Sequence, residues 1–386
     1  MRSTKLFSSL SIRGLSLNNR VVASPMWQYA GQNFEPNDWH LMNMGRLAGG
    51  GAGLVFQEGT TVERRGCGTL GDIGLWHDDC MPLYRRMVAL VKACGSVPGI
   101  QLMHAGPKAR QLPPTTGRGP LERSAAIVDW DSWEPIGPSA ISLNDNLPIP
   151  RAMTMVDIAS VTEAFISSAR RADSAGYEVL EIHAAHGYLL HAFLSPLTNK
   201  RTDAYGGSFE GRVRLVMEVV DGVRTVWPQE KPLFIRLSCI DGPAEGWSIE
   251  DTFKLVRLLR QHGVDLVDCS SGGIIGNPLP TQSARYGYQA PFAEAVRQET
   301  GALTSAVGLI VDPRHAEQLL AEQKADLIFI GRELIYNPNW PMDAARKLGD
   351  PKGFSVMPHR GAYWLERRAS SMPDFLPSTY YQRETP

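Results

Sequence analysis

The densest chemistry in the chain lies in Glu181-Ile-His-Ala-Ala-His-Gly-Tyr188. His183 and His186 stand three apart, and Tyr188 follows two residues later. Read as metal ligands, the histidines lack a convincing third ligand and the helical H-E-x-x-H setting of a zinc site. Read as hydrogen-bond donors, they hold a carbonyl or another electron-rich oxygen. Tyr188 is close enough in sequence to give a proton to the same ligand. A lone buried tyrosine is more often packing, so its role depends on the two histidines. The segment is expected to bind an organic oxygen and no metal.

Such residues need a frame. Short β-rich runs recur at 20–23, 53–57, 99–103, 179–183, 233–237, 265–269, 303–307 and 326–330. Helical patterns lie between them. Thr154-x-x-Asp157 starts one like a capping box, Ile158, Val161, Phe165 and Ala172 share its face, and Gly176 follows. Ser248-x-x-Asp251 starts another, with Leu255, Leu258 and Leu259 on one face and Gly263 at its end. Eight strands alternating with helices predict an α/β fold, and a (β/α)8 TIM barrel accounts for the count better than a doubly wound sheet. The Gly- and Pro-rich stretch 105–151 reads as an excursion after the third strand, and 350–386 as a C-terminal extension. Residues 1–386 read as one domain.

Barrel enzymes work at the C-terminal ends of their strands. Gln101 lies near the end of strand three, Glu181 and His183 share a face of strand four, and Arg236 and Ser238 share a face of strand five. Burying such groups without partners is costly, so they suggest a polar ligand over the barrel mouth. The competing reading is a set of salt bridges inside the barrel. Gly308 follows strand seven, and Gly331-Arg332 follows strand eight. Glycines let backbone N–H groups approach an anion, and an arginine can clamp a phosphate. Gly66-Cys-Gly-Thr-Leu-Gly71 matches G-x-G-x-x-G, but it opens no helix and is set aside as a dinucleotide signature.

Composition narrows the partners. The chain is 43% hydrophobic and 20% charged, with a net charge of −1. It lacks a polybasic footprint for nucleic acid or membrane, and no apolar run nears the ~18 residues of a membrane span. The opening residues hold no apolar core of signal-peptide length. Five cysteines at irregular spacing, with no C-x-x-C pair, read as free thiols in a cytoplasmic protein. A small-molecule substrate is expected, and a homo-oligomer stays open.

Several segments resemble one family. They are Leu17-Asn-Asn-Arg-Val-Val-Ala-Ser-Pro-Met26, Gln101-Leu-Met-His-Ala-Gly106, Glu181 through Leu190, Phe193 through Glu210, and Gly331-Arg-Glu-Leu334 with Pro338. Together they look like the Old Yellow Enzyme family, in its YqjM-like, or xenobiotic-reductase-like, branch. The resemblance runs from about residue 5 to 347 and implies a barrel that holds noncovalent FMN and takes hydride from NADH or NADPH. It implies that Ser24, Pro25 and Met26 lie along the flavin, that Gly59 contacts the ring, and that Gln101 bonds its pyrimidine end. It further implies Arg236 at the ring's N1 and O2, and Gly308, Gly331 and Arg332 at the phosphate. His183 and His186 match the pair that holds the substrate oxygen, Tyr188 the proton donor, and Tyr29 a substrate contact. Trp364 matches a tryptophan that reaches the active site. The implied activity is ene-reduction, with hydride passing through flavin N5 to an activated C=C. A flavin dehydrogenase running in reverse, a degenerate flavin binder and a non-redox barrel are the alternatives.

The chain departs from the branch twice. Trp27 stands where cysteine is usual, which should reshape the pocket and shift the flavin potential. Pro107 replaces an arginine, a loss that Arg64, Arg65 or Arg110 could offset. Both departures point to an atypical substrate.

Overall fold

The structure, a computed structural model, describes residues 4–117, 119–124, 126–275 and 285–374. The end of the expected extension, 375–386, lies outside the described residues. The chain opens on a hairpin of β1 (Leu10–Ile12) and β2 (Leu15–Leu17). Then come β3 (Val21–Ala23), β4 (Leu54–Thr61), the short β5 (Ile73–Gly74) and β6 (Val97–Met103). The excursion carries β7 (Ile136–Gly137) and β8 (Arg151–Ala152). The rest are β9 (Val179–Ala184), β10 (Leu233–Ser238), β11 (Leu266–Ser270), β12 (Leu303–Ala306) and β13 (Leu327–Ile330). The order β3-β13-β12-β11-β10-β9-β6-β4 is parallel throughout, and β3 pairs β4 to close it. This is the expected eight-stranded barrel, and each expected run contributes one strand.

The helices are α1 (Asp38–Gly49), α2 (Met81–Ala93), α3 (Met155–Ala175), α4 (Leu189–Leu194), α5 (Phe209–Val226) and α6 (Ile249–Gln261). They continue with α7 (Ala290–Thr300), α8 (Pro313–Ala321), α9 (Arg332–Tyr336), α10 (Trp340–Lys347) and α11 (His359–Ser371). The capping box of α3 forms as the sequence requires: Thr154 accepts from the Asp157 N–H, and Asp157 reaches back to the Thr154 N–H. Gly176 ends that helix at φ +93°, a conformation that favours glycine. Ile158, Val161, Phe165 and Ala172 are all buried on the barrel side. In α6 the buried face is Thr252, Leu255, Val256 and Leu259, one step round from the expected one, with Leu258 half-buried.

Inside the barrel the side chains change character along each strand. Phe56, Phe234 and Phe329 meet there, with ring centroids 6.2 and 5.7 Å apart. They pack with Val22, Leu54, Val179, Leu266 and Leu327, and Ile12 and Leu17 of the hairpin join the same cluster. The hairpin therefore closes the N-terminal end. Strand periodicity puts the next inward residues two positions on. From Val179 these are Glu181 and His183, from Phe234 they are Arg236 and Ser238, and from Leu266 they are Asp268 and Ser270. An apolar floor thus carries a polar layer, and that layer faces the C-terminal mouth.

Candidate active site

The polar layer is paired strand by strand. Gln101 and Glu181 are direct neighbours in the β6–β9 ladder, and Gln101 Nε2 donates to Glu181 Oε1 at 2.7 Å. Arg236 and Asp268 are neighbours in the β10–β11 ladder, with Nε 3.1 Å from Oδ2. Arg236 Nη1 also donates to Ser24 Oγ at 3.3 Å, which ties β10 to the end of β3. The salt-bridge reading is therefore right for Arg236 and Asp268, while the rest of the layer is joined by hydrogen bonds. All five side chains are buried.

Above this layer the histidines form a chain whose tautomers follow from their partners. The Ala185 N–H donates to His183 Nδ1 at 3.2 Å, so the His183 hydrogen sits on Nε2. That atom is 3.3 Å from His186 Nδ1, which accepts. The His186 hydrogen is then on Nε2, 2.6 Å from Ser270 Oγ. Gln289 Nε2 donates to the same serine at 3.1 Å. The His186 backbone is left-handed at φ +58°, and its N–H donates to Ser238 Oγ at 2.9 Å. Burial above all, and then the Arg236 charge, hold both imidazoles well below the usual histidine range. They are neutral donors. Both were expected to face a substrate oxygen, but in this arrangement both ring hydrogens are engaged, that of His183 by His186 and that of His186 by Ser270. Among the described residues no group of three or more His, Cys, Asp or Glu could hold a metal.

Tyr188 connects the histidines to the rim. Its ring meets His183 edge-on at 5.0 Å and Trp27 edge-on at 5.1 Å. Trp27 Nε1 donates to the Gly59 carbonyl at 2.7 Å, so the indole lies at the mouth, half-buried, against Met103, Ala105 and Ala109. Tyr29 is 6.0 Å away, at φ +53°. The set-aside glycine motif turns out to buttress this tyrosine: a Cβ at Gly71 would stand 2.4 Å from the Tyr29 carbonyl oxygen.

Beside Pro107 a cation does reach the mouth, that of Lys108. Lys108 Nζ donates to the carbonyls of His186 at 2.5 Å and Gly273 at 2.7 Å, and lies 5.3 Å from the Tyr188 ring centroid. Burial lowers its pKa to about 8. The three arginines expected to compensate are engaged elsewhere. Arg64 pairs with Asp129, Arg65 pairs with Glu63 and Asp157, and Arg110 donates to the carbonyls of Trp130 and Trp133.

The expected phosphate loops lie beside this cluster. Gly331 packs so closely on Met26 that a Cβ would stand 3.0 Å from the sulfur. Pro25 is buried beside it, and Arg332 is exposed at the rim. Gly308, at φ +106°, would place a Cβ 2.9 Å from the Tyr288 ring. Trp364 is not brought to the mouth within this chain. It is 68% exposed on α11, and α11 packs on the 353–356 turn. That turn rests on Gly51, at the N-terminal end of the barrel.

The model of the NADH:flavin oxidoreductase / NADH oxidase family matches residues 5–350. The chain belongs to this family, the Old Yellow Enzyme family. It is 43% identical over 350 residues to an NADPH dehydrogenase of Geobacillus thermodenitrificans, covering 90% of this chain and 95% of that one. It is 41% identical over 361 residues to an NADPH dehydrogenase of a Geobacillus species, covering 93% and 98%. Among solved structures it is similar to morphinone reductase, with a TM-score of 0.75, 27% identity and 90% of each chain covered. 2-Naphthoyl-CoA reductase shares the fold at TM-score 0.79 and 24% identity, over 92% of this chain and 53% of that one. This chain therefore spans about half the length of that reductase.

The protein is an oxidoreductase of this family, with FMN as cofactor and a reduced nicotinamide as hydride donor. The Old Yellow Enzyme residues present fit FMN. The buried carboxyl of Glu181 leaves Oε2 with no hydrogen-bond partner among the described residues, a guanidinium faces the same layer, and glycines line the two loops suited to a phosphate. Among the described residues no helix is long and apolar enough to cross a membrane.

Proposed function

We propose that this chain, one flavin-binding barrel domain over 1–386, is an ene-reductase acting on an atypical activated alkene. The observation that carries this reading is the line of side chains from Arg236 through His183 to Tyr188. It sets a cation at one end of the mouth and neutral donors with a phenol at the other. FMN, when bound, takes hydride from the nicotinamide and passes it to the substrate.

Gln101, Arg236, Ser24, Pro25, Met26 and Gly59 would hold the ring, and Gly308, Gly331 and Arg332 the phosphate. Arg236 faces negative charge with its guanidinium. His183 Nε2–H, held by the longer of the two bonds at 3.3 Å, is the donor that would turn most readily from His186 to the carbonyl or nitro oxygen of a substrate. His186 keeps that imidazole oriented and joins it when it releases Ser270. Tyr188 gives the proton to the α-carbon. Tyr29 and Trp27 form the outer wall. The indole takes room that a thiol would leave open, and so selects against small cyclic enones.

The test is anaerobic. NADPH or NADH should bleach the flavin, and activated alkenes of varied size should restore its colour. Bleaching with no re-oxidation by any enone, nitroalkene or maleimide would overturn the ene-reductase reading.

A further inference from the structure

Beside neutral His183, two carboxyls and one guanidinium are buried in the polar layer, and fully ionised their charges would not balance. Glu181 and Asp268 are 0% exposed, and Arg236 is 9% exposed. Asp268 is the counter-ion of Arg236, at 3.1 Å, and its other oxygen accepts from Ser305 Oγ at 2.7 Å. Glu181 has no cation of its own. Gln101 donates to its Oε1, and its Oε2 has no hydrogen-bond partner among the described residues.

The surroundings of Glu181 offer little else. Its own strand supplies His183, which is neutral. The β10 strand supplies Phe234 and Arg236, β11 supplies Asp268, and β6 supplies Gln101. Lys108 is bound to the carbonyls of His186 and Gly273. An ionised carboxylate in such a place costs far more than the neutral acid. Two carboxyls that share one cation keep a proton between them. Burial first and Asp268 second hold the Glu181 carboxyl well above the ordinary range, while Arg236 pulls the other way.

We propose that Glu181 is held as the neutral acid, so that Arg236, Asp268 and Glu181 together carry no net charge beneath the flavin, and that ionisation of Glu181 opposes flavin reduction. This rests on the flavin reading of the site. Glu181 is a positioning residue that acts through Arg236. While Glu181 is neutral, Arg236 answers to one carboxylate and can face the negative charge gained on reduction. Once Glu181 is ionised, two carboxylates compete for that guanidinium. Two electrons and one proton enter as hydride. Where Glu181 is ionised in the oxidised protein, one further proton from water binds its carboxylate on reduction.

The reduction potential of the holoprotein against pH tests the coupling. In the wild type the line should fall at one proton per two electrons, then double its slope above neutrality, where reduction draws the second proton. Glu181→Gln, which has the shape of the acid, should keep the low-pH potential and a single slope throughout. Infrared spectra of apo- and holoprotein in H2O and D2O test the proton itself. The wild type should show a protonated-carboxyl stretch that shifts in D2O and is lost in Glu181→Gln. Asp268→Asn should lose that band too, because Arg236 then takes Glu181 as its counter-ion. A wild type without the slope change, or a change that persists in Glu181→Gln, overturns the coupling. A wild type without the band overturns the neutral acid. A protein that takes up no flavin would defeat the flavin reading and the coupling built on it, and the apoprotein spectrum would still decide the proton.

Discussion

Trp27 and Gly59 are fitted to each other. The indole Nε1–H donates to the Gly59 carbonyl at 2.7 Å, and a methyl group at position 59 would stand 2.9 Å from that nitrogen. Any side chain at 59 therefore collides with the indole. Gly59→Ala should destabilise the protein by about 1–3 kcal/mol through overpacking. In Trp27→Cys the same substitution should cost little, because the indole is gone. Thermal melts of the four proteins measure this coupling. Trp27→Cys should also raise the rate on cyclohexenone and shift the flavin potential. Additive melting shifts, with rate and potential unchanged, would mean the indole does not shape the pocket.

Arg236 and Tyr188 should separate the two half-reactions. In the proposed function Arg236 faces the charge gained on reduction, and Tyr188 gives a proton only to the substrate. Arg236→Ala should slow reduction by NAD(P)H by tenfold or more, on the order of the ~1.4 kcal/mol that each factor of ten requires. Tyr188→Phe should leave reduction near the wild-type rate and slow re-oxidation by an alkene. Stopped-flow absorbance follows both steps. Slow reduction in Tyr188→Phe, with Arg236→Ala unaffected, would exchange their roles.

The flavin should be noncovalent. Among the described residues of the mouth none matches an attachment pattern, and the glycines at 308 and 331 suit a phosphate held by backbone. Acid precipitation should leave the yellow colour in the supernatant. Colour in the washed pellet would contradict this.

Much of this site was legible in the chain because strands impose a period of two. Glu181 with His183, and Arg236 with Ser238, had to share faces once strands four and five were recognised. The same rule applied to Asp268 would have found Ser270. The expected strand stopped at Cys269, one residue short, and the partner of His186 was missed. Lys108 left no local signal, because it lies in a turn and meets His186 and Gly273 only through space. The hairpin β1–β2 escaped because each of its strands buries one residue only and so shows no apolar run, unlike the equally short β3. The place of Trp364 within the chain was not legible either, since only the fold decides which end of the barrel a helix reaches.

The histidines should make the protein acid-sensitive. Their folded-state pKa values are depressed, chiefly by burial. The unfolded chain therefore binds protons below its ordinary histidine value of ~6.5, while the folded chain resists them. The stability they contribute is present above pH ~6.5 and is lost as the pH falls below it. His183→Gln with His186→Gln should flatten that part of the stability–pH curve, as measured by urea unfolding between pH 5 and 8. Replacing His183 alone should weaken phenol binding more than replacing His186, because the His183 hydrogen is held at 3.3 Å and the His186 hydrogen more tightly, at 2.6 Å. EDTA should affect neither binding nor activity. An unchanged acid limb in the double variant would place the sensitivity elsewhere.

Lys108 should give phenol binding an alkaline limit. Its ammonium joins the carbonyls of His186 and Gly273, and both residues have left-handed backbones, at φ +58° and +97°. The charge therefore holds the turn that carries His186 against the loop after β11. With a pKa lowered to about 8 by burial, Lys108 is charged at neutral pH and loses its proton as the pH rises through 8. A bond from a charged donor is worth roughly 1.5–3 kcal/mol, so phenol affinity should fall tenfold or more across that range. Lys108→Met should show the weak affinity at every pH. Lys108→Arg should keep the charge and lose the alkaline fall. Unfolding does not explain such a loss, because relieving a buried charge adds stability as the pH rises from 8 toward the ordinary lysine value. Flat phenol affinity from pH 6 to 9 in the wild type would show that this lysine has no hold on the histidine turn.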